Sequence, residues 1–113
     1  MMQIDSETRD GVALVTLAGD AMGGPDGSAL LDRLHELRGS GSANVVVDLG
    51  GVRHMNSSGL GMLIGALTSA RNAGGDLRLA AINSRIQTLL SVTQLLDVFQ
   101  TFDTADQAVA SFE

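Results

Sequence analysis

The chain has 113 residues, a length that suits one domain, and 44% of them are hydrophobic, which is enough for a packed core. Its net charge is −6, and its seven basic residues are scattered arginines that form no basic track, so nucleic-acid binding is not expected. Cysteine and lysine are both absent, which excludes disulfides, thiolate chemistry and Schiff-base catalysis. We therefore interpret residues 1–113 as a single domain.

The first residues give no sign of export or of membrane insertion. Residues 1–20 contain no charged start followed by a long apolar run. No apolar stretch approaches the roughly 20 residues that a membrane-spanning helix needs. These features predict a cytoplasmic protein.

Two strands are predicted at the start of the chain, over residues 3–9 and 12–17. Asp10-Gly11 joins them, and Asp-Gly is a strong signal for a tight hairpin because both turn residues must accept a positive φ. The second strand is apolar on both faces, which predicts a place inside the sheet. Residues 19–25 hold three glycines and the only proline, and predict an irregular loop that ends the strand. This loop is either a flexible connector or part of a contact surface that includes Met22 and Gly23.

Residues 26–38 predict an amphipathic helix, since leucines recur there at helical spacing. Leu30, Leu31, Leu34 and Leu37 are expected to face the core. His35 falls on the polar side, and we interpret it as an ordinary surface residue. Residues 39–42, Gly-Ser-Gly-Ser, end the helix and lead into the next strand.

The stretch from 45 to 65 organises the chain. Residues 45–47 form an apolar, β-branched run that closes on Asp48 and Leu49 and predicts a buried central strand, and the small and polar residues 50–56 predict a turn. Ser57 and Ser58 are predicted to open a helix, where a side-chain oxygen can accept a bond from the first free N–H groups. Gly59 and Gly61 leave room beside the serines for another backbone. Helical spacing predicts burial of three residues further along this helix: Leu63, Ile64 and Leu67.

The remaining elements follow in alternation. The helix is expected to run to about Ala73, where Gly74-Gly75 supplies a left-handed cap. Residues 77–81 predict a short buried strand, after which Asn83 or Ser84 caps a helix. Residues 98–102 predict a last strand. Asp103 is expected to cap a terminal helix whose inner face carries three apolar residues: Ala108, Val109 and Phe112.

The string from Asn56 to Gly61, Asn-Ser-Ser-Gly-Leu-Gly, after a strand that ends in Asp-Leu resembles the signature of the STAS domain of bacterial anti-sigma-factor antagonists. The glycine pair at 74–75 and the leucine-rich stretch 91–99 are also similar to that family. Pattern alone predicts an α/β domain with right-handed crossovers. The resemblance implies a single STAS-like α/β domain with a mostly parallel four- to five-stranded sheet, an antiparallel edge strand and about four helices.

The resemblance also implies a function. In such antagonists the unmodified domain binds an anti-sigma factor that is also a serine kinase, phosphorylation of the first motif serine ends binding, and a serine phosphatase restores it. Carried over by residue, the phosphoacceptor is Ser57. The expected protein is a monomer or weak homodimer that needs no cofactor or metal. Its partner-binding surface is expected to include Met22, Gly23, Met55, Asn56, Ser57, Ser58, Gly59, Leu60, Gly61 and Met62.

This chain departs from the family pattern at two positions near the serines. Asn56 stands where the family usually has Asp. Met22 occupies the acidic position of the family's Gly-x-x-Asp pattern, and Asp20 lies two residues earlier. We expect Met22, Met55 and Met62 to be partly exposed around the serines, where flexible thioethers suit an adaptable contact; core packing is the alternative.

Catalysis is not predicted. His35 and His54 are the only candidate general bases, and Gly-x-Ser-x-Gly is absent around either serine. Asp20 and Asp48 do not make a convincing metal site. A binding module is therefore favoured. Two alternatives to the phosphorylation switch are a STAS scaffold that is never phosphorylated and a STAS module that senses a nucleotide or lipid near the serine loop.

Overall fold

The structure, a computed structural model, describes residues 2–39 and 43–112. It contains a five-stranded sheet and four helices. In chain order the elements are β1 (Gln3–Arg9), β2 (Val12–Ala21), α1 (Pro25–Gly39), β3 (Asn44–Met55), α2 (Ser57–Asn72), β4 (Leu77–Ala80), α3 (Ser84–Val92), β5 (Thr101–Phe102) and α4 (Ala105–Ala110). The predicted fold class and element order are confirmed, while residues 40–42 of the predicted connection lie outside the described residues.

The strands lie in the sheet in chain order, β1-β2-β3-β4-β5. The β1–β2 pair is antiparallel, and each later strand pairs in parallel with the strand before it. Parallel crossovers are normally right-handed, so connections that always step to the next strand in one direction place their helices on one face of the sheet. α1, α2 and α3 accordingly share the main core, which contains Leu30, Leu63 and Ile86.

The second face of the sheet carries a smaller core. Val12, Leu14 and Val46 pack there against Ala108 and Val109 of α4. The middle of the sheet is therefore covered on both faces, which explains why β2 and β3 have apolar runs instead of alternating polar residues. None of the helices in the described ranges is both long and apolar enough to cross a membrane.

The predicted hairpin is confirmed. Asp10 and Gly11 both have positive φ, 55° and 79°, as the tight turn between β1 and β2 requires. The pairing runs from Arg9↔Val12 to Gln3↔Ala18 without a break. The local turn chemistry therefore sets the register of the whole edge strand.

The largest error of the sequence prediction concerns the ends of β2 and β3. Residues 19–21 and 50–55 were assigned to loops, yet both segments are strand and pair with each other up to Ala21↔Met55. The β2–β3 pairing has two register shifts near the glycines, one between Thr16 and Ala18 and one between Gly19 and Asp20. Gly19 adopts φ 87° at the second shift. A glycine in a strand often marks such a bulge, and here the paired ribbon continues beyond it.

The caps and ends of the later elements differ from expectation in detail. Gly74, at φ 89°, ends α2 as predicted, and the N–H of Gly75 donates to the Ala70 carbonyl at 2.9 Å. β5 has two residues instead of five, because a turn in which the Val98 N–H donates to the Leu95 carbonyl occupies the preceding segment. Thr104, not Asp103, caps α4.

Candidate functional site

The serine pair lies at the edge of the sheet where the parallel strands end. Strands that run in parallel bring their following loops to the same edge, so the β2–α1 and β3–α2 loops are neighbours. Gly23 packs directly against Ser58: a Cβ at Gly23 would come within 2.7 Å of the Ser58 carbonyl oxygen. Gly23 also has φ 81°, so a larger residue would be strained as well as crowded. The β2–α1 loop is therefore fixed against the serine motif.

Asn56 caps the helix that carries the serines. Its Oδ1 accepts a hydrogen bond from the Gly59 N–H at 2.8 Å, and its carbonyl accepts one from the Leu60 N–H at 2.9 Å. The helix begins at Ser57 as predicted, but the capping oxygen belongs to Asn56 and not to a serine. Both serine hydroxyls are thus free of the capping role.

Ser57 and Ser58 are exposed at the first two positions of α2. Neither hydroxyl forms a hydrogen bond with another described side chain or carbonyl. The N-terminus of a 16-residue helix carries partial positive charge and unpaired N–H groups. The serines therefore present nucleophilic oxygens to solvent where added negative charge is tolerated.

The two glycines that follow the serines differ in their surroundings. At Gly59 a Cβ would overlap with the carbonyl oxygen of Ala21, at the end of β2. At Gly61 no described atom beyond the adjoining residues and backbone of the helix itself lies within 4 Å of such a Cβ. The backbone that approaches Gly59 belongs to this chain, whereas the space beside Gly61 is open.

The three methionines expected around the serines also differ in their exposure to solvent. Met22 is 41% exposed and Met55 is partly buried. Met62 is only 7% exposed, since α1 covers it and Gly27 lies close to its side chain. The prediction that Met62 contributes an exposed thioether is wrong.

Burial divides the predicted partner-binding residues. Leu60 is 2% exposed, so like Met62 it cannot offer its side chain to a partner. Gly23 and Gly59 are also buried: Gly23 packs against Ser58, and Gly59 packs against the Ala21 carbonyl. The exposed residues of the set lie together at the start of α2 and at the end of β2: Met22, Asn56, Ser57, Ser58 and Gly61. We refer to these five residues as the serine surface.

Ile64, expected in the core, is only partly buried.

A cationic cluster borders this surface. Arg53 and His54 are exposed near the end of β3, and Arg85 is exposed on the first turn of α3. Arg85 Nη1 donates to His54 Nδ1 at 3.2 Å. A guanidinium has no acceptor, so the imidazole nitrogen accepts, which assigns the ring proton to Nε2.

Asn83 holds α3 in this position. Its Oδ1 accepts from the Ile86 N–H at 2.9 Å and so caps α3, while its Nδ2 donates to the Val52 carbonyl at 3.1 Å. One side chain therefore both starts the helix and ties it to the end of β3. This tie brings Arg85 beside His54.

Two aspartates near this edge have different environments. Asp48 Oδ1 accepts from the Gly50 N–H at 2.8 Å, a local bond in the middle of β3. Asp20 pairs in register with His54, and its Oδ1 is buried without a hydrogen-bond partner among the described residues. The acidic group nearest to the family's usual position is thus in β2, two residues before Met22.

Sequence reasoning considered His54 only as a general base and did not consider Arg53 or Arg85. The signal for the cluster was available. The β4–α3 connection must lie at the same sheet edge as the serine loop, so an arginine two residues after the Asn83 cap belongs to that edge. The cluster was not predicted because Gly50 and Gly51 indicated a turn, whereas β3 continues through His54.

Comparison with known proteins agrees with this architecture. The model of the STAS domain matches residues 3–108. An anti-sigma F factor antagonist of Paenibacillus polymyxa is 23% identical over 112 residues, which cover 99% of this chain and 96% of that protein. Among solved structures, a candidate anti-sigma factor antagonist from Thermotoga maritima superimposes with a TM-score of 0.83 at 19% identity, covering 96% of this chain and 92% of the other. The Bacillus cell fate determinant SpoIIAA in its phosphorylated form superimposes with a TM-score of 0.72 at 13% identity, over the full length of both chains.

Proposed function

Because this chain belongs to the STAS domain family, we propose that it is an anti-sigma-factor antagonist whose binding surface is switched by phosphorylation of Ser57. In its unmodified form it binds an anti-sigma factor that is also a serine kinase, and so releases the sigma factor. A serine phosphatase reverses the modification. The relative from Paenibacillus polymyxa carries the antagonist name, and SpoIIAA exists in a phosphorylated form.

One observation carries the proposal: two exposed serine hydroxyls without partners stand at the N-terminus of α2, where Asn56 performs the capping. A hydroxyl that capped the helix would be engaged with the backbone, and its modification would break the cap. Here the cap and the acceptor are different residues. Phosphate can therefore be added without loss of the helix start.

The geometry favours Ser57 over Ser58 as the acceptor. Gly23 packs against the backbone and Cβ of Ser58, so the β2–α1 loop restricts one side of that residue. Ser57 is the first residue of the helix, one position further from this loop contact. A kinase has more room to reach its hydroxyl.

Modification acts on the partner more than on the fold. A phosphoserine adds about −1.5 to −2 charge, and a helix N-terminus tolerates negative charge or gains about 0.3–1 kcal/mol from it. A partner surface shaped for a neutral hydroxyl would instead have to bury an unpaired charge, which costs about 2–5 kcal/mol. Binding is then lost while the domain stays folded.

Phosphopeptide mapping tests the proposal. The purified chain is incubated with ATP and, in turn, with each histidine-kinase-like anti-sigma factor that its genome encodes. Label on Ser57, and its loss in Ser57→Ala but not in Ser58→Ala, is the expected result. Label on Ser58 alone would contradict the choice of acceptor. A domain that binds this kinase without being labelled would instead be a STAS scaffold.

A further inference from the structure

We propose that Arg53, His54 and Arg85 form a docking patch for an acidic segment of a partner protein. Arg53 and His54 are exposed neighbours near the end of β3, and Arg85, on the first turn of α3, contacts His54. Asn56 and Ser57 of the serine surface follow His54 by two and three residues. The proposal extends the proposed function by giving the chemistry of the partner segment. It rests on that function only where the partner is taken to be the anti-sigma factor.

The arginines of the patch differ from the others in their partners. Arg9, Arg33, Arg71 and Arg78 each form an ion pair with a carboxylate, and Arg38 donates to the hydroxyl and carbonyl of Ser69. No acidic side chain in the described ranges forms an ion pair with Arg53 or Arg85. Apart from Arg38, which is bonded to Ser69, the guanidinium groups without a carboxylate among the described residues are those of Arg53 and Arg85, near the end of β3 and the start of α3.

The patch offers donors and almost no acceptors. A guanidinium carries five N–H donors and no acceptor. The acceptor nitrogen of His54, Nδ1, already accepts the bond from Arg85, so the ring offers a partner only the N–H of Nε2. Carboxylates are acceptor-only groups, and they pair with guanidinium in a bidentate manner. A ligand rich in carboxylates thus matches the patch in both charge and hydrogen bonding.

The position is also held by the fold. Asn83 ties the start of α3 to the Val52 carbonyl, so the distance between Arg85 and the end of β3 does not depend on the exposed side chains alone. The backbone positions that carry the two arginines are therefore fixed relative to each other before a partner binds, which lowers the conformational cost of binding. The patch can therefore orient a partner against the adjacent serine surface.

The surroundings favour a protein segment over other anions. Two cavities of the described structure lie elsewhere, a groove of about 490 Å³ between α1 and α2 and one of about 230 Å³ beside β5. Small ligands usually occupy concave sites, and these cations stand on an open surface. A nucleic acid would need a longer basic track than these three residues provide.

A titration followed by NMR tests the proposal on the isotope-labelled chain. The probe is a deca-glutamate peptide at low ionic strength, with deca-glutamine and decathymidylate as comparisons. We expect amide shifts confined to residues 53–58 and 83–86, and binding about three- to tenfold weaker in the double variant Arg53→Gln/Arg85→Gln. The control Arg9→Gln/Arg71→Gln makes the same change of charge at ion-paired arginines and should bind as the unaltered chain does.

Absence of binding, shifts spread over other faces, or equal weakening in both double variants would overturn the proposal. Tighter binding of decathymidylate than of deca-glutamate at these residues would also overturn it, and would identify a nucleic-acid contact. The titration needs neither kinase nor phosphate. Its failure would leave the phosphorylation of Ser57 untouched, and a failed phosphorylation assay would leave the patch untouched.

Discussion

The two sides of the first turns of α2 have opposite properties although they share one short motif. On the inner side, Gly59, Leu60 and Leu63 are buried against the ends of the strands and the main core. On the outer side, Ser57 and Gly61 are exposed. The motif therefore combines a packing surface and a recognition surface on one helix.

This contrast shows that a residue of the motif can be needed for packing inside the chain and not for contact with a partner. Gly59 is required by the carbonyl of Ala21, within this chain, whereas Gly61 leaves open space that no described residue uses. The same pattern of small residues thus serves folding on one side and access on the other. Substitutions on the two sides should separate stability from binding.

Leu63→Ala is expected to give the largest loss of stability, about 2–5 kcal/mol, because its side chain is completely buried in the main core. That is a large share of the stability of a small domain. Denaturant unfolding measures the effect. A midpoint close to that of the unaltered chain would show that the inner side of α2 is not the packing surface described above.

Met62→Ala and Met22→Ala form a matched pair, since the same atoms are removed from a buried and an exposed position. Met62→Ala should cost about 2 kcal/mol or more through the cavity it leaves beneath α1. Met22→Ala should leave the unfolding midpoint nearly unchanged and weaken binding to the anti-sigma factor. Loss of folding in Met22→Ala would place Met22 in the core instead of on the serine surface.

Gly59→Ala and Gly61→Ala sharpen the comparison further. A methyl group at Gly59 would overlap with the Ala21 carbonyl, and overpacking of this kind costs about 1–3 kcal/mol. At Gly61 the same group meets open space, so the higher helix propensity of alanine should stabilise the domain by up to about 1 kcal/mol. Thermal unfolding of both variants checks the signs. Equal destabilisation would contradict the assignment of Gly61 to the outer side.

Asn56→Asp is expected to have the smallest effect on stability. Asp caps helices about as well as Asn, so the free energy of unfolding should change by less than about 0.5 kcal/mol, while Asn56→Ala should cost about 1 kcal/mol. We expect Asn56→Asp to be phosphorylated faster, because it restores the family's usual acid beside the proposed acceptor, Ser57. An unchanged or slower rate in a kinase assay would show that the acid is dispensable here.

The elements that could be predicted are those set by local chemistry. The hairpin followed from Asp10-Gly11, and the end of α2 followed from Gly74; both glycines adopt the positive φ that these roles need. These features depend on a few neighbouring residues, so the sequence contains the necessary information.

The errors arise where distant contacts decide. The glycines at 19 and 50–51 are typical of loops, but pairing between β2 and β3 keeps them in strands. Methionine fits both a core and a contact surface, so only the position of α1 distinguishes Met62 from Met22. The cationic cluster depends on the bond between Asn83 and Val52, which joins segments 31 residues apart.

The central claim is that charge at Ser57 removes the partner without unfolding the domain. The most direct measurement is calorimetric titration of the anti-sigma factor kinase with the unmodified chain and with the chain phosphorylated on Ser57. We predict that phosphorylation weakens binding by more than an order of magnitude, since about 2–5 kcal/mol is lost and each 1.4 kcal/mol is about tenfold. Ser57→Ala should still bind, and the unfolding midpoint of the phosphorylated chain should match that of the unmodified one. Equal affinity of the two forms, or loss of binding together with loss of the fold, would contradict the account.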